Sequence, residues 1–209
     1  MKKNFSVSIN EKIEKFNKKV KIPGDKSCSI RALLFSSQCI GESKIFNLLE
    51  STDVLDCCNA LRTLGVKIVK RKNHYSVYGN GLNSFRIKKK ITKLYIGNSM
   101  TTARLISGLC STLPSKFYLY GDASANRRDF MRCIEKLERV GAKFFPRKKT
   151  LPLTIEGTSL PLAQEHVETR GSSQIKSMLL LSALSTPGIT TVEELKEKSS
   201  RTHTEIFLK

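Results

Sequence analysis

Gly24-Asp25-Lys26-Ser27, followed by the apolar run Arg31-Ala32-Leu33-Leu34, is the first of three copies of one pattern. The second is Gly97-Asn98-Ser99-Met100-Thr101-Thr102 ahead of Arg104-Leu105-Ile106, and the third is Gly171-Ser172-Ser173-Gln174 ahead of Met178-Leu179-Leu180-Leu181. Each opening Gly stands two helical turns before the Arg or Met that starts the run, and the stretches from Gly24 to Gly97 and from Gly97 to Gly171 are almost equal. A near-constant period of this length marks a repeated supersecondary unit. Each copy also has the composition of an anion cradle. Glycine lets the backbone approach a ligand, small hydroxyls donate hydrogen bonds, and a helix N-terminus aims unpaired N–H groups at negative charge.

The surrounding pattern predicts β-α-β-α-β-β for each unit, with repeats at about 20–85, 92–157 and 165–209. In the first, Val20-Lys21-Ile22 reads as a strand, a helix runs to about Cys39 with Gly41 ending it, and Ser43–Asn47 is a second strand. Ser51 is the expected N-cap of a helix with Val54, Leu55, Cys58, Leu61 and Leu64 on one face and Gly65 as its stop. A hairpin of 66–69 and 75–78 closes the unit. The second copy predicts strands at 93–96 and 117–120, a helix over 101–111, and a further helix opened by Ser124 and stopped by Gly141. A hairpin of 142–145 and 153–155 follows. The third predicts a strand at 166–169, a helix from Ser173 to about Ser185, a strand at 189–192 and a helix opened by Ser200. By the spacing of the first copy that last helix should stop near position 214, so the third unit reads as truncated before its closing hairpin. The expectation is a single α/β (α+β) domain, 1–209, with approximate threefold symmetry, its first helices central and its sheets outside.

Composition narrows the function classes. No run of 18 apolar residues occurs, and Met1–Ser8 lacks the apolar core of a secretory leader, so the expected location is cytoplasmic and not membrane. Six cysteines form no Cys-x-x-Cys pair and only three histidines are present, so neither a metal site nor a cofactor is expected. Cys28, Cys39, Cys110 and Cys133 fall in helical patterns and are expected to pack as small apolar groups. The net charge of +19 raises the question of nucleic acid, but the basic clusters (Lys18-Lys19, Lys70-Arg71-Lys72, Lys88-Lys89-Lys90, Arg147-Lys148-Lys149) are scattered, and no aromatic interleaving accompanies them. Small anionic substrates gain from the same field.

The ordered motifs carry a resemblance. Lys21–Arg31 (KIPGDKSCSIR), Asn47–Asp53, Gly97-Asn98-Ser99, Gly121-Asp122-Ala123-Ser124, Gly171–Ser177 and Ser200–Glu205 together resemble the N-terminal half of the 5-enolpyruvylshikimate-3-phosphate (EPSP) synthase family, 3-phosphoshikimate 1-carboxyvinyltransferases of the shikimate pathway of aromatic amino-acid biosynthesis. The resemblance implies an enolpyruvyl transferase-like domain of three βαβαββ repeats, with the second domain of the family absent here. It implies transfer of enolpyruvyl from phosphoenolpyruvate to shikimate 3-phosphate, with the general acid and base in the missing half and therefore no catalytic residue in this chain.

It also implies the binding set. Lys26, Ser27, Arg31, Ser172, Ser173 and Ser200 match positions for shikimate 3-phosphate; Lys26, Asn98, Met100, Arg128 and Gln174 match positions for phosphoenolpyruvate. The residue types suit anion binding, with a lysine point charge at a helix start, Ser27 and Arg31 on one helical face, and two hydroxyls and an amide at a third helix N-terminus. Three positions depart from the family. Met100 replaces a Gly that lies against phosphoenolpyruvate, which implies impaired donor binding and low glyphosate sensitivity. Asp129 replaces a Pro, and its carboxylate is expected to compete for Arg128, whose other reading is an i, i+4 surface pair with Arg132. Thr202 stands where many members have Asp, and His203 reads as part of a helix start.

Three functions compete at this level. The first is half of a synthase, as a fragment or with a separate chain supplying the second domain. The second is a non-catalytic module binding shikimate phosphate or a partner. The third, a nucleic-acid binder, rests on charge alone. A sister transferase acting on a UDP-sugar shares the fold but opens with Lys-Asn where this chain has Lys26-Ser27.

Overall fold

One apolar helix from each copy, α1 (Lys26–Gln38), α3 (Met100–Ser111) and α5 (Ser173–Ala183), forms the centre of the computed structural model, which describes residues 6–12, 15, 17–87 and 89–209. The repeated motif supplies the N-cap each time. Asp25 accepts from the Cys28 N–H at 2.8 Å, Ser99 from Thr102 at 3.2 Å and Ser172 from Ile175 at 3.4 Å. Each cap satisfies one of the free N–H groups of its first turn and leaves others facing outward. The helices then bury their apolar runs: Ile30, Leu33 and Leu34; Leu105, Ile106 and Leu109; Met178, Leu179 and Leu181. Helices α3 and α5 meet backbone to backbone, since a Cβ on Gly108 would stand 2.2 Å from the Met178 carbonyl oxygen.

The sheets surround this centre. In the first repeat β1 (Ile40–Phe46), β2 (Lys67–Lys70) and β3 (His74–Asn80) lie in the order β1-β3-β2, all antiparallel. In the second, β4 (Ile91–Tyr95) runs parallel to β5 (Lys116–Tyr120), and the antiparallel strands β7 (Leu153–Glu156) and β6 (Lys143–Phe145) complete the order β4-β5-β7-β6. In the third, β8 (Glu165–Glu168) pairs in parallel with β9 (Thr191–Glu194). The second helices, α2 (Thr52–Thr63), α4 (Met131–Val140) and α6 (His203–Leu208), follow β1, β5 and β9. On α4 the inward face is Cys133, Ile134, Leu137 and Val140. The recurring helix-strand-helix order and the α/β character stand as read from the sequence, while the opening strand of the first unit is not formed.

Several local readings are corrected. Val20-Lys21-Ile22 is exposed and is not a strand. Helix α1 stops at Gln38, and Gly41 lies inside β1. Ser51 precedes α2, but its hydroxyl makes no cap bond and is buried without a partner; only its carbonyl serves the helix, accepting from Val54 and Leu55. Ser124 opens a short 3₁₀ turn (Ala125–Arg127), and the α-helix begins at Met131, where the Asp129 carboxylate caps the first N–H at 2.8 Å. Ser200 lies in a loop, and α6 starts only at His203. Cys110 and Cys133 are buried as expected, but Cys39 is exposed and Cys28 is half-buried. The readings made on Met1–Phe5 and Lys88 lie outside the described residues.

Candidate functional site

The starts of α1 and α5 and the loop before α6 enclose a pocket of about 440 Å³ lined by Ser27, Arg31, Ser173, Gln174, Ser200 and Arg201, with Gly171 and His203 at its edge. Residues singled out from the sequence in the first and third repeats thus converge on one cavity. Two helix N-termini, two arginines and four serines, Ser199 among them, make its lining donor-rich, which suits an anion. Ser172 does not line it; its hydroxyl is the cap of α5.

Arg31 is nevertheless not a free clamp. It is 2 % exposed. Its Nε donates to Thr204 Oγ1 at 2.8 Å, one terminal nitrogen to the Ser27 carbonyl at 3.1 Å, and the other to Ser177 Oγ at 2.7 Å and the Ser173 carbonyl at 3.4 Å. Burial pulls its pKa down, with Cys28 and the Glu205 carboxylate opposing. The guanidinium therefore holds α6 and the first turn of α5 against α1 while showing one edge to the pocket. Lys176 works beside it: its side chain is 5 % exposed and pairs with Glu194 on β9 and Glu205 on α6, both at 2.6 Å. Burial opposes its charge, but the two carboxylates outweigh that and raise its pKa. The motif Ser200–Glu205 thus contributes Thr204 and Glu205 as docking acceptors.

The second repeat builds an adjoining cluster. Arg128 donates to Asn98 Oδ1 at 2.6 Å and to Ser124 Oγ at 3.3 Å, and Asn98 donates in turn to Asp122 at 2.8 Å. The Asp122 carboxylate is held below the usual range chiefly by the Ala125 N–H, with Asn98 and Arg128 adding to it. Asp129, capping α4, does not compete for Arg128, and Arg128 makes no helical pair with Arg132, which instead meets buried Glu168. Met100 opens α3 but is 4 % exposed among core residues and does not line the pocket. Lys26, half exposed, pairs with Asp53 of α2 at 2.9 Å.

Gln174 joins the two regions. Its Nε2 donates to Thr101 Oγ1 at 3.1 Å, and its Oε1 accepts a close bond from Arg104, which also reaches the Asp129 carbonyl at 3.4 Å. Arg104, Lys176, Thr204 and Asp53 lie in the quoted motifs but are not among the site residues expected from the sequence. Arg104 had a signal, since it sits one turn into α3 as Arg31 sits in α1.

A fold of three such repeats around central helices, with polar helix starts gathered on one side, defines an enolpyruvyl transferase-type domain. The family model for EPSP synthase (3-phosphoshikimate 1-carboxyvinyltransferase) matches residues 10–209, and the chain belongs to that family. A 3-phosphoshikimate 1-carboxyvinyltransferase of Bradyrhizobium sp. is 38 % identical over 193 residues, covering 91 % of this chain and 42 % of that protein. One from Lactococcus lactis is 37 % identical over 192 residues, covering 91 % and 44 %. The solved EPSP synthase of Acinetobacter baumannii superposes with a TM-score of 0.81 at 32 % identity, covering 89 % of this chain and 42 % of that one. The chain spans less than half the length of the relatives it matches. Among the described residues no helix is long and apolar enough to cross a membrane.

Proposed function

We propose that this chain supplies one wall of an enolpyruvyl-transfer site, binding shikimate 3-phosphate and phosphoenolpyruvate, with the proton-transfer groups contributed by a second half on a separate chain or on a longer form of this one. The observation that carries the reading is the pocket where Ser27, Arg31, Ser173, Gln174 and Ser200 converge. Ser27 and Ser173 offer hydroxyls to a phosphate, Ser200 lines the pocket with its own hydroxyl buried, and the α5 N-terminus adds its dipole. Lys26, Asn98, Arg128 and Gln174 form the adjoining face for the smaller carboxylate-bearing donor. In the reaction, the shikimate 5-hydroxyl gives up its proton and adds to the enol carbon as the methylene carbon is protonated; loss of a proton from the resulting methyl group then expels phosphate from the tetrahedral adduct and restores the double bond. This wall orients both anions and neutralises their charge. No cofactor enters this scheme, and the working location is cytoplasmic.

Isothermal titration of the chain with shikimate 3-phosphate tests the binding half, with saturable binding expected and lost in Ser173→Ala. A coupled phosphate-release assay with and without a supplied second half tests the catalytic half, with turnover expected only in its presence. Binding without turnover in both cases favours a non-catalytic phosphate-binding module. The resemblance ties weak donor binding and low glyphosate sensitivity to Met100, although its side chain is buried in the core and off the pocket; a titration giving ordinary phosphoenolpyruvate affinity counts against that implication.

A further inference from the structure

Asp25, Cys28 and His203 bring a carboxylate oxygen, a thiol sulfur and an imidazole nitrogen within 4.8 Å of one another. Two come from the cap and first turn of α1, and the third is the first residue of α6, at the opposite end of the sequence. That separation hides the group from any search for local ligand spacing. We propose that this cluster is a binding site for a divalent transition metal of the zinc class, held by one carboxylate, one thiolate and one imidazole, with water in the fourth position.

The donor set argues for the metal. Carboxylate, thiolate and imidazole are the three side-chain ligands zinc uses, and three protein ligands leave a tetrahedral site one place open. A carboxylate and a thiolate balance the charge of a divalent cation. Ligands at about 2.0–2.3 Å in tetrahedral array stand about 3.3–3.8 Å apart. Closing from at most 4.8 Å brings the ligand atoms together by roughly 1 Å. Asp25 can serve without giving up its cap, because only Oδ1 is used by the Cys28 N–H.

The geometry is fixed from outside the cluster. Helix α6 lies along α1, with Arg31 bonded to Thr204 at 2.8 Å and the rings of Phe35 and Phe207 stacked at 5.7 Å. Lys176 pins Glu205 from below at 2.6 Å. These contacts set the register that delivers His203 to Cys28, independently of any ligand. The exposure pattern agrees: Asp25 is exposed and the other two are half-buried, so water reaches the open position. Burial, and then the Asp25 carboxylate, push the Cys28 thiol pKa up, so the metal must displace its proton, and the positive charge of Arg31 and Arg201 nearby opposes the metal; both limit its affinity. The site borders the anion pocket through His203, so a bound metal would clamp α6 to α1 at the pocket's edge.

The test is cobalt titration of the chelator-treated full chain in the absence of any phosphate ligand. One equivalent per chain is expected, with visible bands of tetrahedral type and a near-ultraviolet thiolate-to-cobalt band, displaced by zinc. Cys28→Ser should abolish the thiolate band, and His203→Gln should weaken binding by more than about 100-fold, beyond the loss seen for outer-shell partners. Cys39→Ser, which alters the exposed thiol outside the cluster, should change nothing. If a variant loses its fold by circular dichroism, mass-spectrometric mapping of alkylation in the unaltered chain decides instead: zinc should protect Cys28 and leave Cys39 reactive. Absence of the thiolate band, its persistence in Cys28→Ser, or equal alkylation of Cys28 with and without zinc overturns the proposal.

Discussion

Replacing Arg31 with Met separates what this residue does for the fold from what it does for a ligand. The side chain makes four hydrogen bonds, two of them short ones to Thr204 and Ser177 and two longer ones to the Ser27 and Ser173 carbonyls. Bonds from a charged donor contribute about 1.5–3 kcal/mol each, so the two short ones account for about 3–6 kcal/mol. Two effects offset this. Removing a buried guanidinium also removes its desolvation penalty, which is several kcal/mol. The Thr204 and Ser177 hydroxyls, 2.6 Å apart, also keep one another as partners. The net expectation is a loss of about 2–4 kcal/mol, or a fall in Tm of about 4–16 °C for a domain of this size. Urea unfolding followed by far-ultraviolet circular dichroism gives the free energy, and hydrogen exchange of α6 amides shows where it is lost. A stability within about 0.5 kcal/mol of the unaltered chain (the scatter of ordinary surface substitutions) with unchanged α6 protection would refute the view of Arg31 as the bolt between the first and third repeats.

Three further outcomes follow from the same packing. Gly108→Ala places a methyl 2.2 Å from the Met178 carbonyl, so α3 and α5 must part; a loss of about 1–3 kcal/mol or more is expected in urea, and a neutral result would show that the helices are not so close. Lys176→Met leaves Glu194 and Glu205 without their buried partner; a loss of about 3–5 kcal/mol and faster proteolysis within 191–209 should be seen. His166 is 1 % exposed with neither ring nitrogen partnered, and burial, with Lys136 and Arg139 adding, pushes its pKa down to about 4. The unfolded state then binds a proton below about pH 6.5 that the folded state refuses until about pH 4, so stability falls on acidification across that window. The His166 share is about 1–2 kcal/mol between pH 7 and 5, and His166→Phe should remove it; an unaltered pH slope in that variant would contradict the assignment.

The repeat was legible because a helix N-terminus leaves a local signature. Glycine, then a capping Asp or Ser, then an apolar run is a short-range pattern, and it recurs with its register intact. Readings that failed depended on partners distant in sequence. Ser51 and Ser200 look like caps by residue type, but whether a hydroxyl turns to the helix depends on what packs over it, and both are buried without a partner. Asp129 looked like a competitor for Arg128 because the two are adjacent, yet the nearest unpaired donor to its carboxylate was the N–H of Met131, just beyond it in the chain. The docking of α6 was not legible at all: Arg31 meets Thr204 from the far end of the chain, and no periodicity links Lys176 to Glu205. One more signal was present in the sequence. Gly79 and Gly157 each press against the carbonyls that end the first helix of their own repeat, so the closing hairpins carry a repeat mark of their own.

The polar residues of the site fall into two physical groups, and the difference bears on the proposed function. Arg31 and Lys176 are buried, each bonded to two or more elements, and an incoming anion cannot recruit them without undoing the fold. Lys26 and Arg128 are engaged too, but with Asp53 and Asn98 at the exposed surface, where such pairs contribute about 0–1 kcal/mol and are readily exchanged. A phosphate or carboxylate offering a charge-assisted bond of about twice the neutral strength can displace Asn98 from Arg128, whereas at Lys26 it competes with the charged Asp53 on equal terms. Asp53 and Asn98 then act as placeholders that keep the two cations extended and desolvate them little until an anion arrives. Gln174 stands between the groups, since Arg104 and Thr101 tie both ends of its amide, so it positions the α5 N-terminus against α3 more than it offers itself to a ligand. On this division, the proposed site would draw its affinity for an anion from Lys26, Arg128 and the exposed serine hydroxyls, and that affinity should fall with added salt. The buried pair sets the geometry those groups share, and its contribution is screened far less.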